Sequence, residues 1–347
     1  MTTLPALQSL NDLRQALTAL PGPDQDAATA ARKREPQLSK PPGALGRLEE
    51  LAQWLSQWQG RHPPSMGTPK AQVFAGNHGV ADKGVSAYPA DVTAQMVANF
   101  EAGGAAINQL CQAFGVGFAI DALALDKPTK DITIEAAMTE AEFLDAFVFG
   151  MGAVNDGTDV LCLGEMGIGN TTAAAAISLA LFGGEASEWT GMGTGVSGEA
   201  LAKKTEIVGN AVAAQGANIQ DGAASDPLQV LRCLGGREMV AIAGAVLAAR
   251  FRNVPVLLDG YVATAAAAPL EAAQPGALDH CQVGHASAEP GHARLLEKLG
   301  KAPLLNLDMR LGEASGAVLA VQILRAAVAC HNGMATFEEA AVSGKKD

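Results

Sequence analysis

From about Lys70 onward the chain repeats one texture: a short apolar run, a glycine-bearing turn, then an alanine-rich stretch long enough for a helix. The runs Ala71–Ala75, Gly115–Ile120, Asp159–Leu163, Val254–Leu258, His280–Val283 and Pro303–Leu307 read as strands. Asp91–Ala113, Thr171–Phe182, Gly198–Ala214, Gly236–Arg250 and Pro290–Leu299 read as the helices between them. Such alternation predicts an α/β fold, a Rossmann-like parallel sheet with helices on both faces. Ligands of such sheets bind at the carboxyl ends of the strands, so the turns after each run become the first places to look for chemistry.

The first 65 residues read differently, as polar helices. Gly46–Gln59 carries Leu48, Leu51, Trp54, Leu55 and Trp58 on one stripe, which favours a core or interface role for the tryptophans. A proline-rich break follows at Arg61–Pro69. A last helix over Ala314–Cys330 could return to these segments. The expected division is a small helical domain from 1–65 and about 320–347, and a large α/β domain over 66–319. Ser343–Asp347 reads as a frayed tail.

Composition narrows the class. Hydrophobic residues make up 48% of the chain but aromatics only 4%, and 39 residues are glycine, so the core must be built by close approach of small side chains. A net charge of -12 argues against a general nucleic-acid or anionic-membrane surface. It also requires any phosphate site to be locally electropositive. Five scattered cysteines without a Cys-x-x-Cys pattern suit reduced thiols and a cytoplasmic protein. No basic start followed by an apolar run marks a signal peptide. Met166–Gly184 is uncharged, but only about ten of its residues are continuously apolar, which favours a buried helix over a membrane span.

Three glycine-rich segments follow expected strands: Gly76–Pro89, Gly164–Thr172 and Asp308–Gly316. In the second, Asn170 or Thr171 can cap the next helix, and its free N–H groups suit a phosphate or simply close a tight turn. Gly191–Gly198 contains a Gly-x-Gly-x-x-Gly match but follows no strand, so a dinucleotide fingerprint has little support. Glu165 and Glu313 sit inside glycine-rich turns, where a carboxylate can take a proton from a ring nitrogen or merely offset a helix dipole. His78 suits a ligand contact or a structural bond. The spacing of His280, His285 and His292 fits no familiar zinc pattern.

Taken together, the segments Ser39–Glu49, Gly76–Val80 with Gly84–Pro89, Gly164–Thr172, Gly191–Gly195, His285–His292 and Met309–Glu313 resemble the nicotinate-nucleotide:dimethylbenzimidazole phosphoribosyltransferase family, in family order from about 39 to 320. The resemblance implies a six-stranded sheet, a homodimer, and small-molecule substrates without a cofactor or metal. It implies transfer of phosphoribose from nicotinate mononucleotide to 5,6-dimethylbenzimidazole, for the nucleotide loop of cobalamin. By the same carry-over Glu313 is the general base, and Ser86, Tyr88 and Gln95 line the acceptor-base site. Glu165, Gly167, Asn170, Thr171, Gly193, Thr194, Lys204 and Ser287 would hold the nucleotide and its phosphate. One departure stands out: Ala314-Ser315-Gly316 follows Gly312-Glu313 where the family often has Gly-Thr-Gly, so the backbone angle at Ala314 becomes a point to check.

Overall fold

The computed structural model describes residues 3–221 and 224–343; the last four residues of the expected tail lie outside them. Helices α1 (Leu10–Thr18), α2 (Gln25–Arg34) and α3 (Arg47–Gln59) precede strand β1 (Pro69–Ala75). There follow α4 (Val92–Glu101), α5 (Ala106–Phe114), β2 (Gly117–Ala122), α6 (Glu140–Gly152), β3 (Val160–Met166), α7 (Asn170–Phe182), α8 (Ala186–Trp189) and α9 (Gly198–Ile219). A short antiparallel ribbon, β4 (Gln220–Asp221) with β5 (Ala224–Ser225), leads to α10 (Pro227–Leu234), α11 (Arg237–Phe251), β6 (Val256–Leu258) and α12 (Tyr261–Ala273). The chain then runs through β7 (Cys281–Ala286), α13 (Pro290–Leu299), β8 (Pro303–Asn306) and α14 (Ser315–Gly333).

Six strands form one sheet in the order β2-β1-β3-β6-β7-β8, every neighbouring pair parallel. Each expected apolar run coincides with one of them. The inner strands β3 and β6 are buried almost throughout, whereas β2 and β8 at the edges are half-exposed, as parallel sheets covered on both faces require. After β1 the chain steps outward to β2 and then returns to β3 on the other side. That reversal opens a crevice at the carboxyl ends of β1 and β3.

Two apolar cores lie on opposite faces of the sheet. One joins residues of α1, α6, α7, α10, α11 and α12; the other joins α3, α5 and the body of α14. Trp54 and Trp58 are buried in the second. The scarcity of aromatics has a structural counterpart in α11, buried at every residue from Arg237 to Phe251. It crosses α6 with reciprocal glycines at the contact: a Cβ on Gly244 would lie 2.9 Å from the Phe147 carbonyl carbon, and one on Gly150 2.6 Å from that of Ala241. The N- and C-terminal segments are tied together, with Arg34 Nε donating to His331 O at 2.8 Å and Leu38 bridging to Thr336. Among the described residues no helix is long and apolar enough to cross a membrane.

Two expectations need correction. The single helix expected over Asp91–Ala113 is two helices, because Gly103 takes a left-handed φ of 79° and Asn108 closes the break, accepting from Ala105 N and donating to Phe100 O, both at 3.0 Å. The cap of α7 is Gly169, at φ 96°, with no side-chain cap; Asn170 turns its amide elsewhere. Helix α6, not among the expected helices, starts at a capping box, Thr139-Glu140-Ala141-Glu142, with Thr139 Oγ1 accepting from Glu142 N and Glu142 Oε2 from Thr139 N.

Because the α6–α11 contact is backbone against backbone, Gly244→Ala should destabilise the protein by about 1–3 kcal/mol. Urea unfolding would show it as a lower midpoint; an unchanged midpoint would mean the helices part freely.

Candidate active site

A cavity of roughly 450 Å³ opens at the carboxyl ends of the strands. Its walls come from the turns after β1, β3, β6, β7 and β8, with α4 and the Gly191 loop closing the sides. Of the residues expected to act, Tyr88, Glu165, Gly167, Asn170, Thr171, Gly193, Thr194, Ser287 and Glu313 line it together. Ser86 stands at the rim, its hydroxyl 2.8 Å from Thr194 Oγ1. Lys204 lies just behind the wall, fully buried, donating to Thr171 Oγ1 at 2.8 Å and Gly191 O at 2.9 Å. Gln95 is exposed on α4 and is not part of the wall, although Val92 and Met96 on the same helix are.

The glycine-rich turn after β3 rests on a buried pair. His78 Nε2 lies 2.6 Å from Glu238 Oε1, and a Cβ on Gly167 would fall 3.4 Å from each of those two atoms. This decides His78 in favour of a structural bond. No side chain caps α7; the N–H groups of Asn170, Thr172 and Ala173 bond to Gly167 O and Gly169 O. Thr171, which also lines the cavity, is the first-turn residue left to offer its N–H to a ligand. Asn170 instead donates its amide to the Glu165 carboxylate, and Lys204 points its ammonium at Thr171. A phosphate can therefore be held in an acidic protein by backbone dipoles and one buried cation.

The same cavity also gathers carboxyl groups. Burial, with the Glu238 and Asp259 carboxylates behind it, pushes the Glu165 carboxyl up to about 8. Burial raises Asp259 to about 7 against the N–H groups of Ala317, Gly316 and Ala314. Glu313 is raised by burial to about 7, with the Ile107 N–H at the start of α5 opposing and Asp259 adding. Among the described residues, Glu313 Oε2 is buried with no hydrogen-bond partner. Lys204 is pushed down by burial to about 8, against the attraction of Glu289.

The sequence reading gave no role to Asp259, behind the wall, nor to Glu289 and Arg310 within the segments that carry the resemblance. Glu289 Oε1 accepts from Gly193 N at 2.8 Å and Arg310 Nη1 donates to Gly193 O at 2.7 Å, while His285 lines the cavity 3.7 Å from Asp259. Only the placement of Asp259 right after β6 and of Arg310 beside the Glu313 turn could have marked them. The other histidines are held locally: His280 Nε2 is 3.0 Å from Val246 O, and His292 Nδ1 accepts from Ser287 N at 2.8 Å. Among the described residues no group of three His, Cys, Asp or Glu is arranged to hold a metal.

Residues 20–342 match the profile of a family described as phosphoribosyltransferase. The nicotinate-nucleotide–dimethylbenzimidazole phosphoribosyltransferase of Rhizobium meliloti (strain 1021) is 60% identical over 336 residues, 97% of this chain and 98% of its own length. That of Sinorhizobium medicae (strain WSM419) is 60% identical over 335 residues, 96% of this chain and 97% of its own. The crystal structure of the Thermus thermophilus enzyme of the same name superposes with a TM-score of 0.84 at 41% identity, covering 93% of this chain and 100% of that one. The chain belongs to this phosphoribosyltransferase family.

Against the family pattern, the departure at Ala314 has a measurable consequence. Gly312, Glu313 and Ala314 have φ of 86°, 63° and 65°, so three successive residues are left-handed and only the first is glycine. The family's phosphoribosyltransferase turn survives here with alanine in a conformation that glycine adopts without cost.

The raised carboxyls make stability depend on pH. An acid whose folded pKa exceeds its unfolded value stabilises the fold below the unfolded pKa and loses that contribution as pH rises through the folded pKa. Between about pH 4.5 and 8 these groups should therefore make unfolding stability fall, and Glu165→Gln should flatten the slope. Equal slopes for the two proteins in chemical denaturation would remove Glu165 as a raised group.

Proposed function

We propose that this chain transfers the 5-phosphoribosyl group of nicotinate mononucleotide to 5,6-dimethylbenzimidazole, releasing nicotinate and forming α-ribazole 5′-phosphate for the nucleotide loop of cobalamin. Family membership supports the reaction. The observation that carries the residue assignment is the Glu313 carboxylate, buried in the cavity wall with a free oxygen.

The donor's glycosidic nitrogen belongs to a pyridinium ring, so cleavage of that bond leaves a neutral ring and needs no general acid. The acceptor begins with one N–H; as its other nitrogen bonds to C1′, positive charge builds and that proton becomes acidic. Glu313 accepts it, a contribution typically of ~10² to 10⁴ in rate. Attack opposite the departing ring inverts C1′, and alignment of the three reacting atoms supplies much of the remaining acceleration. An acidic wall suits a cationic donor ring and a transition state that is still positive.

Ser86 and Tyr88, at the rim, take the acceptor base, with Gln95 reaching it from the exposed side of α4. Glu165, Gly167, Asn170, Thr171, Gly193, Thr194, Lys204 and Ser287 hold the nucleotide and its phosphate. The exposed apolar residues Tyr88, Met192, Leu307 and Leu311 near the mouth support a homodimer. The ties between α2, α3 and the end of α14 support a helical domain of both termini beside the α/β domain. Free thiols and the acidic surface suit cytoplasmic work on small molecules without nucleic acid.

Incubation with nicotinate mononucleotide and a panel of benzimidazoles and purines should release nicotinate with the benzimidazoles, read by mass spectrometry. Intact donor with every base would overturn the reaction. Because the base must be ionised and Lys204 must stay charged, kcat/KM should rise with pH through about 7 and fall again above about 8. Glu313→Gln should cut turnover at least about tenfold while leaving donor affinity nearly intact; undiminished turnover would remove it as the base. Lys204→Ala should raise KM for the nucleotide more than for the acceptor base, and equal increases would argue against a phosphate role.

A further inference from the structure

We propose that Asp259 is the positioning residue for Glu313, its carboxylate holding in place the strained turn from which the base projects. The inference rests on the reading of Glu313 as general base.

Asp259 follows β6 and is buried. Its Oδ1 accepts from the backbone N–H of Ala317 at 2.8 Å, and the N–H groups of Gly316 and Ala314 also face the carboxylate. These are the donors at the start of α14, whose own cap residue, Ala314, has no side chain that could serve them. Asp259 caps the helix from another strand.

The turn has a reason to need such a hold. A left-handed conformation costs a non-glycine residue ~1–2 kcal/mol, and here Glu313 and Ala314 adopt it in succession. Three neutral bonds also restrain the turn, Glu313 N to Glu165 O at 3.3 Å, and Ser315 N and Oγ to Gly312 O at 3.1 and 2.7 Å. Asp259 supplies the only carboxyl acceptor among them, and bonds donated by backbone N–H to a carboxylate are the stronger kind when it is ionised.

Nothing else in the surroundings accounts for its burial. No lysine or arginine among the described residues pairs with Asp259. His285 Nε2 stands 3.7 Å from Oδ1, beyond hydrogen-bond reach, while its Nδ1 lies against Ala286 O at 3.1 Å. The transfer reaction itself assigns Asp259 no proton. Among the described residues, the side-chain hydrogen bonds of Asp259 run to the backbone that carries the base, through Oδ1, while the buried Oδ2 has no partner.

Kinetics separate positioning from plain stability. Displacing a catalytic group by about 1 Å can cost ~10²-fold, so Asp259→Ala should lower kcat about 100-fold with donor KM within about threefold. Asp259→Asn keeps an acceptor oxygen and should restore kcat to within about tenfold of wild type. Glu313 is faced by Asp259, by Glu165 and by the Ile107 N–H, with His285 and Arg310 nearby. Asparagine removes one of those negative charges, so the rise of kcat/KM with pH should move to lower pH. In a Glu313→Gln background Asp259→Ala should cost no further turnover, because a residue acting through the base has nothing left to position.

If Glu313→Gln alone turns over normally, the general-base reading fails. If it is slow but Asp259→Ala keeps wild-type kcat, or the two losses multiply in full, the positioning role fails while the base stands. Should Asp259→Ala not fold, Asp259→Asn decides: an unmoved pH profile overturns the inference and a shifted one supports it.

Discussion

Helix α14 meets the sheet at its first turn with backbone against backbone. A Cβ on Gly164 of β3 would lie 2.6 Å from Ala314 Cα, and one on Gly284 of β7 2.6 Å from Ala317 Cα. Gly316 leaves the opposite space for the His285 ring. No side chain separates these elements, so the height of the helix over the sheet is set by atoms that cannot change rotamer. Glu313, one residue before Ala314, inherits that rigidity. It can be left-handed and buried, with one carboxyl oxygen unpartnered among the described residues, because the frame around it has no slack.

The same economy governs charge. Raised carboxyls at Glu165, Asp259 and Glu313 crowd one side of the cavity, and each is raised chiefly by burial. Such a group is poised near neutrality, where a proton can be taken and given back. The start of α7 is built differently: no side chain caps it, its glycine turn is seated on the His78–Glu238 pair, and a lysine is buried behind a threonine. Backbone dipoles are fixed in place, and they neutralise an anion without adding a cationic patch.

Much of this was legible in the chain. Parallel strands buried on both faces are near-continuous apolar runs, so all six announced themselves, and the glycine turns after them pointed to the cavity. Where reading failed, the cause was tertiary. The pattern of 91–113 is helical throughout apart from Gly103-Gly104, and only the break shows that α5 starts where its N–H can face Glu313. Asn170 has the chemistry of a helix cap, yet the Glu165 carboxylate beside it is the stronger acceptor. Asp259, Glu238 and Arg310 are unremarkable as letters. Their meaning comes from segments more than fifty residues away in the chain, such as Asp259 with Ala317 and Glu238 with His78.

The Gly191 loop differs from everything around it. It touches each wall through single bonds: Thr194 to Ser86 and the Ala87 N–H, Gly193 to Glu289 and Arg310, Gly191 to Lys204. Strand and helix backbones bind the rest of the enclosure, whereas this span bends at Gly193 and Gly195 with φ of 52° and 117°. The width of the chamber on this side is therefore set by one glycine-bent segment, distinct from the α14 turn that carries Glu313.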